Sequence, residues 1–157
     1  MIADSIVAVA RRFGFMREVG GENHGLWVHF VLWFTGNEEG DSWCQAFVSL
    51  VLFIAYRGKP PIIRTAVCEV ALSDCRHKGY IVTEPRAGDL VFSVNASGHA
   101  HHVAIATDSI VNAELPVIAG NTSEDGKSSN GTGVFEHHVA TSDKVYARLP
   151  APPLITH

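Results

Sequence analysis

The sequence predicts an α+β protein in which helices come first and a sheet of short antiparallel strands follows. Three observations carry this. Apolar residues recur at helical spacing through the first half, up to Lys78. After Gly79 the period drops to two, in short Val/Ile-rich runs separated by turn residues. No strand–helix alternation, internal repeat or linker-like stretch interrupts either half, so residues 1–149 read as one domain. Residues 150–157 form a Pro-rich tail that reads as loose.

The helices are taken in order. Ile2, Ile6, Val9, Ala10 and Phe13 fall on one stripe, predicting a helix from Ile2 to Phe13. Gly20-Gly21-Glu22-Asn23-His24-Gly25 is a loop. Trp27, Phe30, Val31 and Phe34 predict a second short helix closed by Gly36. After the acidic turn Glu38-Glu39-Gly40-Asp41, an almost unbroken apolar run to Tyr56 predicts a helix with Cys44 in its first turn and Asp41 or Ser42 as its N-cap. This helix is greasy on all sides and is expected to be central. Gly58-Lys59-Pro60-Pro61 stops it. A fourth helix is predicted from Thr65, as its cap, to Lys78, ended by Gly79.

The strands follow. Tyr80–Val82, Leu90–Val94, His101–Thr107, Val117–Ala119, Val134–Val139 and Lys144–Leu149 are predicted strands. Gly120-Asn121-Thr122 is read as the turn after the fourth, and the Ser/Gly-rich stretch 123–133 as a mobile loop.

Composition bounds the function. Of 157 residues, 46% are apolar and 18% charged, which describes a globular chain with room for a core. A net charge of −4 without any Lys/Arg cluster argues against a nucleic-acid binder. The longest apolar run, Ala46 to Tyr56, is about half the ~20 residues a membrane span needs, so no insertion is expected. Asp4 interrupts the start, and Arg11-Arg12 follow the apolar part where a secretion signal would place them before it. Synthesis in the cytoplasm, with any export by a route that leaves no cleavable tag, is the expectation. Cys68 and Cys75 share a helix face but lie ~10 Å apart, beyond disulfide reach, and all three cysteines are expected to be reduced.

Cys44 is the candidate nucleophile. A free thiol titrates near ~8.5, and a helix N-terminus with a histidine alongside brings it to roughly 3.5–7.5. The same geometry aims the Cys44 N–H at a developing oxyanion. Among nine histidines, strand alternation favours His102 as the base, because it shares a face with Ala104 and Ala106, whose small side chains would let the Cys44 helix approach. A register slip would make His101 the base instead. Asn121 is the candidate to orient the imidazole, with Glu114 as a fallback. Gly98-His99-Ala100-His101-His102 could suggest zinc, but adjacent strand histidines point in opposite directions and no His-Glu-x-x-His helix exists. No cofactor is expected; hard oxygens at Glu38, Glu39 and Asp41 leave calcium as the alternative to a solvated acidic turn.

These blocks together resemble the CHAP and NlpC/P60 group of cysteine amidases and endopeptidases that cut bacterial peptidoglycan. The resemblance spans about residues 17–139. It rests on Glu18-Val19-Gly20-Gly21 with Asn23 and Gly25, and on Gly40-Asp41-Ser42-Trp43-Cys44 with Ala46-Phe47-Val48. Further on it rests on Glu84 to Phe92, His102-Val103-Ala104-Ile105-Ala106, Gly120-Asn121-Thr122-Ser123 and Gly133-Val134. Ala104 stands where many relatives have glycine, and Ala119 where many have an acidic residue. The calcium loop of some CHAP enzymes is not clearly reproduced.

The resemblance implies a papain-like fold, with the nucleophile helix packed on the sheet, and a CHAP-like catalytic domain over 1–149. It implies Cys44 as nucleophile, His102 as base and Asn121 as orienting residue. Trp43, Asn23 and Glu22 are expected to line the substrate groove. The implied activity is lytic hydrolysis of a peptide-stem amide, either N-acetylmuramoyl-L-alanine amidase or endopeptidase, by a monomer. A phage endolysin and an interbacterial effector with an immunity partner both fit. An inactive wall-binding module is the rival from another class.

Overall fold

The structure, a computed structural model, describes residues 1–128 and 131–155. Among these residues four helices precede six strands. The helices are α1 (Ile2–Arg12), α2 (Leu26–Phe34), α3 (Cys44–Ala55) and α4 (Cys68–His77). The strands are β1 (Ile81–Val82), β2 (Leu90–Val94), β3 (Ala100–Ala106), β4 (Glu114–Thr122), β5 (Gly133–Ala140) and β6 (Lys144–Ala147). They form one sheet in the order β1-β6-β2-β3-β4-β5 with every neighbouring pair antiparallel. The class is α+β with segregated elements. Among the described residues no helix is long and apolar enough to cross a membrane.

α3 is buried from Cys44 to Leu52, as an all-apolar helix must be, and it forms the middle of the molecule. Its Phe47, Val48 and Val51 join Leu90, Phe92, Val103, Ile105 and Ile118 in the main core. The other sheet face carries a smaller cluster built from Val91, Ala104, Ala106, Leu115, Val117 and Tyr146. This corrects one expectation: α3 lies on the Val103/Ile105 face, and Ala104 and Ala106 look away from it. The close approach comes from β4 instead. A Cβ on Gly120 would stand 2.8 Å from Phe47 Cβ and 2.9 Å from Trp43 Cζ3, so only glycine lets the start of α3 press on the sheet there.

Three boundaries differ from the sequence pattern by three residues, and several others by one or two. α4 begins at Cys68, three residues after its predicted cap. Ser49 Oγ donates to the Thr65 carbonyl at 2.8 Å and accepts from the Thr65 N–H at 3.2 Å, so the approach to α4 is tied to α3. Val67 stays extended, and the helix starts after it. β4 begins at Glu114 and runs across Pro116. It also absorbs the predicted turn: Asn121 is a strand residue at φ 53, where the ladder to β5 slips between Ala119 and Thr122.

Of the loop predicted as mobile over 123–133, residues 129–130 lie outside those described. Residues 123–128 are held by Ser123 Oγ donating to Asp125 at 2.7 Å and by the Lys127 N–H donating to the same carboxylate at 3.0 Å. In the predicted loose tail, whose residues 156–157 also lie outside, Pro150 is tied back by the Tyr56 hydroxyl at 2.7 Å.

Candidate active site

Cys44 is the first residue of α3 and is 2% exposed. Trp43, not Asp41 or Ser42, occupies the N-cap position, and no side chain caps the helix. Both predicted caps are engaged elsewhere. Asp41 Oδ2 accepts from the Glu38 N–H at 3.2 Å, and Ser42 Oγ accepts from Asn121 Nδ2 at 3.0 Å. The positive end of α3 is therefore not neutralised by a side-chain oxygen and acts on the sulfur itself.

A second sulfur stands beside the first. Cys68 Sγ lies 3.5 Å from Cys44 Sγ. Cys68 is the first residue of α4, so two helix N-termini converge on one pair of sulfurs. The Cys68 thiol is the strongest influence holding the Cys44 thiol well below its usual range. Burial opposes it, and the neighbouring His102 imidazole and the Val103 N–H assist it. The same contact, with burial, pushes the Cys68 thiol up. These opposite shifts favour the thiolate on Cys44 and the thiol on Cys68.

His102 is the histidine that acts on the sulfur, its imidazole helping to lower the Cys44 pKa. It is 7% exposed, whereas His101 is exposed to solvent. The ladder between β2 and β3 explains the difference. Ser93 pairs with His102 and Val94 with Ala100, leaving His101 as the extra residue of a bulge. From His102 to Ile105 the ladder is regular, so His102 keeps the face of Ala104, and the bulge displaces only His101 and Ala100.

Asn121 is fully buried. The expected bond to the imidazole is not made. Asn121 donates to Ser42, while Asn121 Oδ1 and His102 Nδ1 are both buried without a hydrogen-bond partner among the described residues. Asn121 therefore reaches the site through Ser42, the residue that leads into the nucleophile.

The predicted groove residues behave differently. Trp43 cannot line an open groove: it is fully buried, and its Nε1 donates to Glu18 at 2.9 Å. Asn23 is buried as well, tying its loop to the acidic turn by donating to the Gly40 carbonyl at 3.1 Å. Glu22 is exposed on that loop. Within the acidic turn, Glu39 accepts from the Gly25 N–H at 2.7 Å. Among the described residues no group of three or more His, Cys, Asp or Glu side chains is positioned to hold a metal ion. Glu114, the fallback orienting residue, opens β4 and lies 3.8 Å from His138 on the exposed side of the sheet.

A cavity of about 430 Å³ opens on His102 from the far side of the sheet, between Ser93, Thr122, His137 and Lys144. Burial, then the charge of His102, lowers the His137 pKa, and burial lowers that of Lys144. Both groups, Cys68, Ser42 and Glu18 escaped the sequence-based assignment. For Cys68 the one available signal was a second cysteine near a helix start, and sequence spacing does not reveal that two helix starts meet. Compared with models of known protein families the chain matches none, and no curated protein matches it significantly.

Proposed function

We propose that the protein is a cysteine amidase or endopeptidase of papain-like arrangement that hydrolyses an amide of the peptidoglycan peptide stem. The observation that carries this is the Cys44 sulfur: buried at an uncapped helix N-terminus, favoured as thiolate, with an imidazole beside it. A thiolate so held attacks a carbonyl carbon, and the first-turn N–H groups of α3 receive the oxyanion. His102 gives a proton to the leaving amine, then takes one from the water that hydrolyses the thioester. Asn121 and Ser42 position the loop that leads into Cys44.

Peptidoglycan as the substrate rests on the resemblance of the sequence blocks around Cys44, His102 and Asn121. The test is digestion of purified walls by wild type and Cys44→Ala, with mass spectrometry of the released muropeptides. Loss of turbidity by wild type alone, with new amine termini in the stem fragments, supports the proposal. Equal clearance by both proteins contradicts it. Intact walls with both would leave a binding module as the better account. The muropeptide masses distinguish the amidase from the endopeptidase.

A further inference from the structure

We propose that Cys44 and Cys68 form a peroxide-responsive dithiol that closes to a reversible disulfide, switching the nucleophile off and protecting it from irreversible oxidation. The inference needs only a reactive Cys44 thiol, not the wall-hydrolysing reading.

The geometry is already near the product. The sulfurs are 3.5 Å apart, and a disulfide needs ~2.05 Å, so about 1.5 Å must close. Both residues begin their helices, where side chains are less constrained by a preceding turn. The backbones they depend on are clamped in place. Ser49 ties Thr65 to α3, and Glu69 accepts from the Ala100 N–H at 2.6 Å, fixing α4 against β3 beside His102. Cys75 is no alternative partner, lying two turns further along α4, roughly 10 Å away along the axis.

The chemistry balances with hydrogen peroxide as oxidant. The Cys44 thiolate attacks one peroxide oxygen; the O–O bond breaks, an S–O bond forms, and hydroxide leaves. Sulfur is oxidised to sulfenic acid and the peroxide is reduced. Cys68 sulfur then attacks Cys44 sulfur; the S–O bond breaks, the S–S bond forms, and the oxygen departs as water with the Cys68 proton. Consuming the thiolate removes the hydrogen bond to Cys44 that raises the Cys68 pKa, so the first step prepares the second. Peroxide is about the size of water, which suits cysteines that are as residues only 2% and 7% exposed.

The test uses the full chain. Protein carrying its three free thiols is treated with hydrogen peroxide, alkylated in denaturant and weighed, intact and after proteolysis. The expected product takes up one alkyl group, at Cys75, is otherwise about 2 Da lighter than the reduced chain, and yields a Cys44–Cys68 linked peptide. Dithiothreitol restores all thiols. Cys75→Ala gives the same bridge. Cys68→Ala, checked for its fold by circular dichroism, instead goes on to a form about 32 Da heavier at Cys44 that dithiothreitol does not reverse. Full thiol retention, bridging to Cys75, or over-oxidation of wild type at the rate of Cys68→Ala overturns the proposal. Because mass is read, a failure of wall digestion leaves the outcome intact, and the reverse holds too.

Discussion

Replacing Gly120 with alanine puts a methyl carbon 2.8 Å from Phe47 Cβ and 2.9 Å from both Phe47 Cγ and Trp43 Cζ3. Non-bonded carbons rest at roughly 3.5–4.0 Å, so each of the three contacts falls short by about 0.6–1.2 Å. Neither ring can swing clear, since both are fully buried and Trp43 is anchored to Glu18. The start of α3 must lift off β4 or the rings must strain, and overpacking of this kind costs about 1–3 kcal/mol. Alanine recovers about 0.5–1 kcal/mol because its unfolded chain is less free than that of glycine. The expected net loss is therefore up to about 2.5 kcal/mol and centred near about 1 kcal/mol, read as a lower urea midpoint at unchanged slope. Lifting α3 also carries Cys44 away from His102, so alkylation of Cys44 at neutral pH slows. A variant as stable as wild type, with unchanged alkylation, refutes the claim that glycine sets the distance between nucleophile helix and sheet.

Other outcomes follow from the same structure. Arg148 grips the buried Asp89 carboxylate at 2.7 and 3.0 Å, so Arg148→Ala leaves that charge poorly matched and destabilises by about 3–5 kcal/mol in urea unfolding; an unchanged midpoint contradicts this. Ser42→Ala takes the acceptor from the buried Asn121 amide, with a loss of about 1–3 kcal/mol and slower wall digestion, and unchanged values of both would show that the contact does not matter. Cys68→Ala removes the strongest influence lowering the Cys44 pKa. Alkylation follows the thiolate fraction, which rises as pH passes through the pKa, so the variant reacts more slowly at pH 6 and its midpoint moves up. A midpoint that stays put argues against the sulfur–sulfur contact.

The order of elements was legible in the sequence because local periodicity changes at Gly79, and the central place of α3 because it is apolar on every side. What the pattern could not convey was which sheet face receives α3. Alternation along β3 offered Ala104 and Ala106 as the close-contact face, but bulky Val103 and Ile105 face the helix, and the gap is closed at Gly120 on the next strand. Nor did the pattern reveal the bulge at His101, which breaks the alternation one residue before His102. A bulge depends on pairing between strands and leaves no mark in a single segment. Asn121 was identified by its position after a strand, yet its bond runs to Ser42, a partner far away in sequence. Trp43 was misjudged for a related reason: an aromatic beside a nucleophile suggests a groove, and only the packing against Gly120 reveals it as core.

The most direct measurement is the rate of iodoacetamide labelling at Cys44 as a function of pH, for wild type and His102→Ala, with the labelled residue located by mass spectrometry. A depressed thiol pKa predicts a wild-type midpoint well below the ordinary thiol range of about 8–9, and a higher midpoint once the imidazole is removed. A midpoint in the ordinary range for both proteins would mean that Cys44 is an inert buried thiol and that His102 does not serve it.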